Sequence, residues 1–133
     1  MTNMERLEAL ALSLPEAVRV DIEAWGDHPT FRVGGKNFVF SDQAARHLTV
    51  KLTTSEAAAA VATEPWVTSA AYGLGRHGWV SLTLDDPATE DRWGQVEEWV
   101  RTSYSLVAPR RLAKMVLEAE RDEPEVGSET TFP

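Results

Sequence analysis

The chain has 133 residues, 43% of them hydrophobic, a formal net charge of −8 and no cysteine. That length supports one domain with a sizeable core and is too short for two, and the missing cysteines exclude disulfides, zinc–thiolate sites and thiol nucleophiles. No apolar run approaches the roughly 20 residues of a membrane span and the start lacks the basic-then-apolar order of a signal peptide, so a soluble cytoplasmic protein without a membrane partner is expected.

Thr2 and Glu5 form a capping box, and Leu7, Leu10, Ala11 and Leu14 follow at helical spacing, which predicts a first helix over about 3–13 that ends before Pro15. From residue 18 to 24, apolar Val18, Val20, Ile22 and Ala24 alternate with charged Arg19, Asp21 and Glu23, the period of a half-buried strand. A β-hairpin over 30–40 comes next. Its Gly34-Gly35 loop suits a type I′ turn, which needs positive φ at both central residues. Counting outward from that loop pairs Val33 with Lys36, Arg32 with Asn37 and Phe31 with Phe38, so that Phe31, Val33, Phe38 and Phe40 share one face.

Leu48, Val50 and Leu52 alternate with His47, Thr49 and Lys51 in a further antiparallel strand. Thr53 and Glu56 form a second capping box ahead of an alanine-rich helix bounded by Pro65. Segment 66–78 holds Gly73, Gly75 and Gly78 and reads as an irregular loop or wing. A strand over 79–84 then points Val80, Leu82 and Leu84 inward and Trp79, Ser81 and Thr83 outward. Asp86-Pro87 reads as a helix start, after which Trp93, Val96, Val100, Tyr104 and Val107 form the apolar stripe of the major helix. Leu112, Met115 and Val116 extend a last helix to about 120. Beyond it the chain is acidic and without period, so residues 1–117 are expected as one domain and 118–133 as a disordered tail. The order of elements is that of an α+β sandwich, an antiparallel sheet packed on N- and C-terminal helices.

Charge is unevenly spread. Residues 118–133 carry six acidic side chains against Arg121, whereas residues 30–55 hold Arg32, Lys36, Arg46 and Lys51 against Asp42 alone. With Arg76 and the outward Trp79, these cations could meet phosphates while the indole stacks on an unpaired base. The bland alternative is a set of ordinary solvated cations, with Trp79 packed under a loop.

Leu14-Pro15-Glu16, the run from Gly26 to Lys36, Lys51-Leu52, the run from Gly75 to Val80 and Ser103-Tyr104-Ser105-Leu106-Val107 together resemble the MmcQ/YjbR family of small bacterial proteins, over about residues 4–117. The resemblance implies a frataxin-like α+β fold and a DNA-binding role through a double-wing surface. Mapped here, one wing is the Gly34-Gly35 hairpin with Arg32 and Lys36, and the other is the Gly73 to Gly78 loop with Arg76 and His77. The nucleic-acid-binding set is then Arg32, Lys36, Arg46, Lys51, Arg76, His77 and Trp79.

Catalysis and cofactors are not expected. His28, His47 and His77 lack carboxylates at metal-ligand spacing, and the Gly-x-Gly-x-x-Gly spelling of Gly73 to Gly78 precedes a strand instead of opening a helix. Ser103 and Tyr104 suit a buried packing and hydrogen-bonding role. Two other readings stay open: an acidic ridge of Glu5, Glu8, Asp21 and Glu23 that gathers a hard cation, and a non-catalytic module that binds a protein or small ligand on the open sheet face.

Overall fold

A computed structural model describes residues 1–122. The elements run α1 (Asn3–Leu12), β1 (Val18–Ile22), β2 (His28–Val33), β3 (Lys36–Ser41), β4 (His47–Lys51), α2 (Thr54–Thr63), β5 (Val67–Ser69), β6 (Trp79–Thr83), α3 (Glu90–Val107) and α4 (Arg110–Asp122). The six strands form one antiparallel sheet in the order β1-β2-β3-β4-β6-β5. The helices cover one face. Leu7 and Ala11 of α1, Ala57 and Ala60 of α2, Trp93, Val96, Val100 and Tyr104 of α3, and Leu112 and Val116 of α4 join Phe31, Val39, Leu48, Val50, Val80 and Leu82 of the sheet in one buried cluster. Each large side chain so buried contributes about 1.5–3 kcal/mol.

Local chemistry explains the helix boundaries. Both capping boxes form: Thr2 Oγ1 accepts from Glu5 N and Thr53 Oγ1 from Glu56 N, with each glutamate bonding back to the cap's own N–H. The α3 helix does not begin at Asp86-Pro87. Thr89 is its cap, accepting from Arg92 N, while the Asp86 carboxylate accepts from Asn3 N. Asn3 is fully buried at the meeting point of three segments. Its Nδ2 donates to Ala45 O at 3.0 Å and Asp85 O at 2.7 Å, and its Oδ1 accepts from Ala88 N at 3.1 Å.

Segment 66–78 is more regular than its glycines suggest. It contains the edge strand β5 and a 3-10 turn, Leu74–His77. Of the apolar residues of α4, Leu112 and Val116 are buried and Met115 is half exposed. From residue 123 onward the expected acidic tail lies outside the described residues.

The hairpin departs from the expected register. Gly34 and Gly35 take φ of 60° and 79° and the first two pairs hold, but Phe31 then faces Val39, not Phe38. Phe38 is the extra residue of a β-bulge. Phe38 and Val39 are both fully buried, with Phe38 edge-on to Tyr104 at 5.3 Å, and Phe40 is thrown onto the opposite face beside Thr30. A bulge leaves ladder groups unpaired, and Ser103 of α3 satisfies two of them: its hydroxyl donates to Phe38 O at 2.6 Å and accepts from Lys51 N at 2.8 Å. Tyr104, the next residue, donates to Pro15 O at 2.7 Å.

Candidate nucleic-acid interface

The sheet face away from the helices is built in rows fixed by strand register. Toward the Gly34-Gly35 end stand Val18, Arg32 and Asn37 on one side and Lys51 and Trp79 on the other. The middle row runs Val20, Thr30, Phe40, Thr49, Ser81, Thr68. At the far end lie Ile22 with His28, and His47 with Thr83. None of these positions is an aspartate or glutamate, in a chain with 21 of them. Phe40 and Trp79 link the first two rows, their rings 5.6 Å apart and inclined at 66°.

Among the described residues, Arg32, Lys36, Lys51 and Arg76 have no carboxylate within ion-pair distance, whereas Arg6 pairs with Glu90, Arg19 with Glu8 and Asp21, Arg101 with Glu97 and Arg111 with Glu16; Arg92, Arg110 and Lys114 of the helices are without an ion pair as well, Arg92 lying over the Trp66 ring. Arg32 is half-buried. Its Nε and the Oδ1 of the facing Asn37 are both shielded from solvent without a protein hydrogen-bond partner.

The expected site residues divide accordingly. Arg32, Lys51 and Trp79 share the first row of the open face, and Arg76 and His77, both exposed, end the 3-10 turn that leads into Trp79. Trp79 is half-buried against Phe40. Lys36 pairs with inward-facing Val33, which turns it to the helix side of the hairpin tip. Arg46 does not join the group. It precedes β4, whereas Lys51 ends that strand about 17 Å away at strand rise, and its Nε lies 3.4 Å from Leu84 O.

The loop between β5 and β6 borders the middle row. Its Ala70, Ala71, Tyr72 and Leu74 face Thr30, Phe40, Thr49 and Ser81 across a cleft of about 640 Å³, with His28 at its far side. Gly78 closes this loop at φ 92°, and a Cβ there would sit 2.1 Å from Leu52 O. Sequence reasoning missed the cleft residues, although the alternation of β4 and β6 marked Thr49 and Ser81 as outward. A second depression of about 440 Å³ lies between α2, α3 and α4, but Glu56, Glu97, Glu98 and Glu120 line it, and its Arg101 is bound to Glu97. No group of three or more histidines and carboxylates able to hold a metal occurs among the described residues, and Glu8 and Asp21 of the acidic ridge both bond Arg19. No helix among them is long and apolar enough to cross a membrane.

A model of the YjbR family matches residues 12–106, from the end of α1 through β1 to β6 and nearly all of α3. The chain belongs to the YjbR family. Within that match lie all seven expected site residues, the bulge and Ser103. The YjbR fold of this chain is similar to the crystal structure of Deinococcus radiodurans protein DR2400, a DUF419 domain, with a TM-score of 0.66 over 87% of this chain and 88% of that one at 22% identity. A search of curated proteins found no match.

Proposed function

We propose that this YjbR protein is a non-catalytic DNA-binding protein that seats phosphates at the Gly34-Gly35 end of its open sheet face. Within the α+β class we read the arrangement as frataxin-like, with the hairpin and the 73–78 loop as the two wings. The supporting observation is the placement of charge: Arg32, Lys51 and Arg76 stand without ion pairs at one end of a sheet face whose strand positions include no aspartate or glutamate. Cations left without partners in an acidic protein are available to release counterions from a polyanion, which is the sequence-independent source of nucleic-acid affinity. The Phe40–Trp79 pair adds an aromatic surface next to them.

Fluorescence anisotropy of labelled oligonucleotides across a salt series tests the proposal. Arg32→Ala, Lys51→Ala and Arg76→Ala should each weaken binding whatever the sequence and flatten the salt slope by about one ion. Arg46→Ala, at the other end of β4, should do less. Absence of binding at about 50 mM salt, or an Arg46→Ala effect equal to that of Lys51→Ala, would contradict it and favour a protein or small-ligand partner on the same face.

A further inference from the structure

The cleft beside the 70–74 loop lies one step beyond the cationic row, and its lining is specific. Its floor is the middle row, Thr30, Phe40, Thr49 and Ser81, and the 70–74 loop borders it through Ala70, Ala71 and Leu74, with the Tyr72 side chain fully exposed at the rim. The lining is predominantly apolar with a few hydroxyls, and its volume falls within the range of small-ligand clefts. Thr30 Oγ1 is engaged, donating to Val20 O at 2.6 Å. The hydroxyls of Thr49 and Ser81 face each other across β4 and β6, half-buried, and form no hydrogen bond with any described residue. Each can both donate and accept. No carboxylate lines the cleft.

We propose that this cleft receives an unpaired nucleobase of a single strand whose phosphate lies on Arg32 and Lys51. The inference rests on the nucleic-acid reading above and adds the form of the ligand. Charge complementarity selects the occupant. The cationic row is two residues from the cleft floor along the strands, about 7 Å, a separation that a nucleotide's sugar bridges between phosphate and base. The apolar lining of the cleft takes the flat of the base, and the hydroxyls of Thr49 and Ser81 meet its polar edge in either donor or acceptor sense, so the cleft accepts bases with little discrimination among them. A base held in a duplex cannot reach this floor, because its edge is already paired and its faces are stacked.

Binding of a labelled single-stranded oligonucleotide and of its duplex, each at about 50 mM salt, tests the inference on the full chain, with thermal unfolding recorded for every variant. The single strand should bind at least about tenfold more tightly than the duplex, since an accommodated base is worth about that factor or more. Thr49→Val and Ser81→Ala, which remove the hydroxyls at nearly constant shape, should each lower single-strand affinity roughly threefold to tenfold. Ser81→Leu, which fills the cleft, should abolish the preference for single strands. Equal affinity for single strand and duplex, with both weakened by Lys51→Ala, overturns the cleft inference and leaves the phosphate-binding reading standing. Failure of both forms to bind overturns the two together. A preference for single strands that survives Thr49→Val and Ser81→Ala in folded protein also overturns the cleft assignment.

Discussion

Ser103 shows how a single hydroxyl permits a bulge in the middle of a sheet. Phe38 O and Lys51 N lie between β3 and β4, where a regular ladder would satisfy them, and one oxygen on α3 serves both. Ser103→Ala removes a donor and an acceptor at once, and each orphaned group costs about 1–3 kcal/mol. Chemical denaturation should show a loss of about 2–6 kcal/mol at unchanged m-value; a loss under about 1 kcal/mol would mean that water replaces the hydroxyl. Gly78 is constrained in a different way. Its positive φ and the 2.1 Å approach of a Cβ to the Leu52 carbonyl oblige the backbone to shift in Gly78→Ala, at a cost of at least about 1–3 kcal/mol. Gly35→Ala, where nothing lies within 4 Å, should cost only the left-handed conformation, about 1–2 kcal/mol. Equal melting temperatures for the two alanine variants would contradict the steric argument. At Trp79 the half-buried ring leans on Phe40, and Trp79→Ala should weaken single-strand binding by about 1–3 kcal/mol if a base stacks on it.

Elements with local signals were legible in the sequence, and those fixed by distant partners were not. Capping boxes act within four residues, so α1 and α2 were readable from Thr2 with Glu5 and Thr53 with Glu56. Strict alternation exposed β4 and β6 and, through them, the outward sides of Lys51, Thr49, Ser81 and Trp79. The β3 register was not legible, because Phe38, Val39 and Phe40 are all apolar and a bulge leaves no trace in an unbroken apolar run. The partner that satisfies the bulge is 65 residues away. β5 is three residues long and joins the sheet edge through pairing alone, and Asp86-Pro87 imitates a helix start while its carboxylate serves Asn3.

The β3–β4 turn offers a pH test of such local chemistry. Burial works to raise the Asp42 pKa, but hydrogen bonds from the His47 ring at 2.7 Å and from the backbone N–H groups of Arg46 and His47 outweigh it, and the carboxyl sits below its ordinary value. A carboxyl depressed by folding contributes stability that is complete above its unfolded pKa of about 4 and is lost as pH falls through the lower folded value. Asp42→Asn should therefore be less stable than the parent at about pH 6, and the gap should narrow as the pH falls through the folded carboxyl's lowered pKa. An undiminished gap at low pH would place the effect in shape and not in charge.

On the scale of the molecule, acidity and function are reconciled by placement. The acidic excess of the chain lies mostly in the helices and in residues 123–133, whereas the open sheet face holds Arg32, Lys51, hydroxyls and the Phe40 and Trp79 rings. The long-range field of the acidic remainder opposes a polyanion and is screened over about 10 Å at 0.1 M salt. Ending the chain at residue 122 removes Glu123, Glu125 and Glu129 with no cation, and should leave nucleic-acid affinity unchanged or tighter; weaker binding in anisotropy titrations would implicate the removed residues in the site. Backbone amide chemical-shift mapping during titration with a single-stranded oligonucleotide tests the location of the site itself. Shifts should concentrate on residues 30–32, 49–51 and 70–81 and spare the acidic groove at Glu97, Glu98 and Arg101. Perturbations centred on that groove, or their absence on the sheet, would contradict the assignment of the open face as the binding surface.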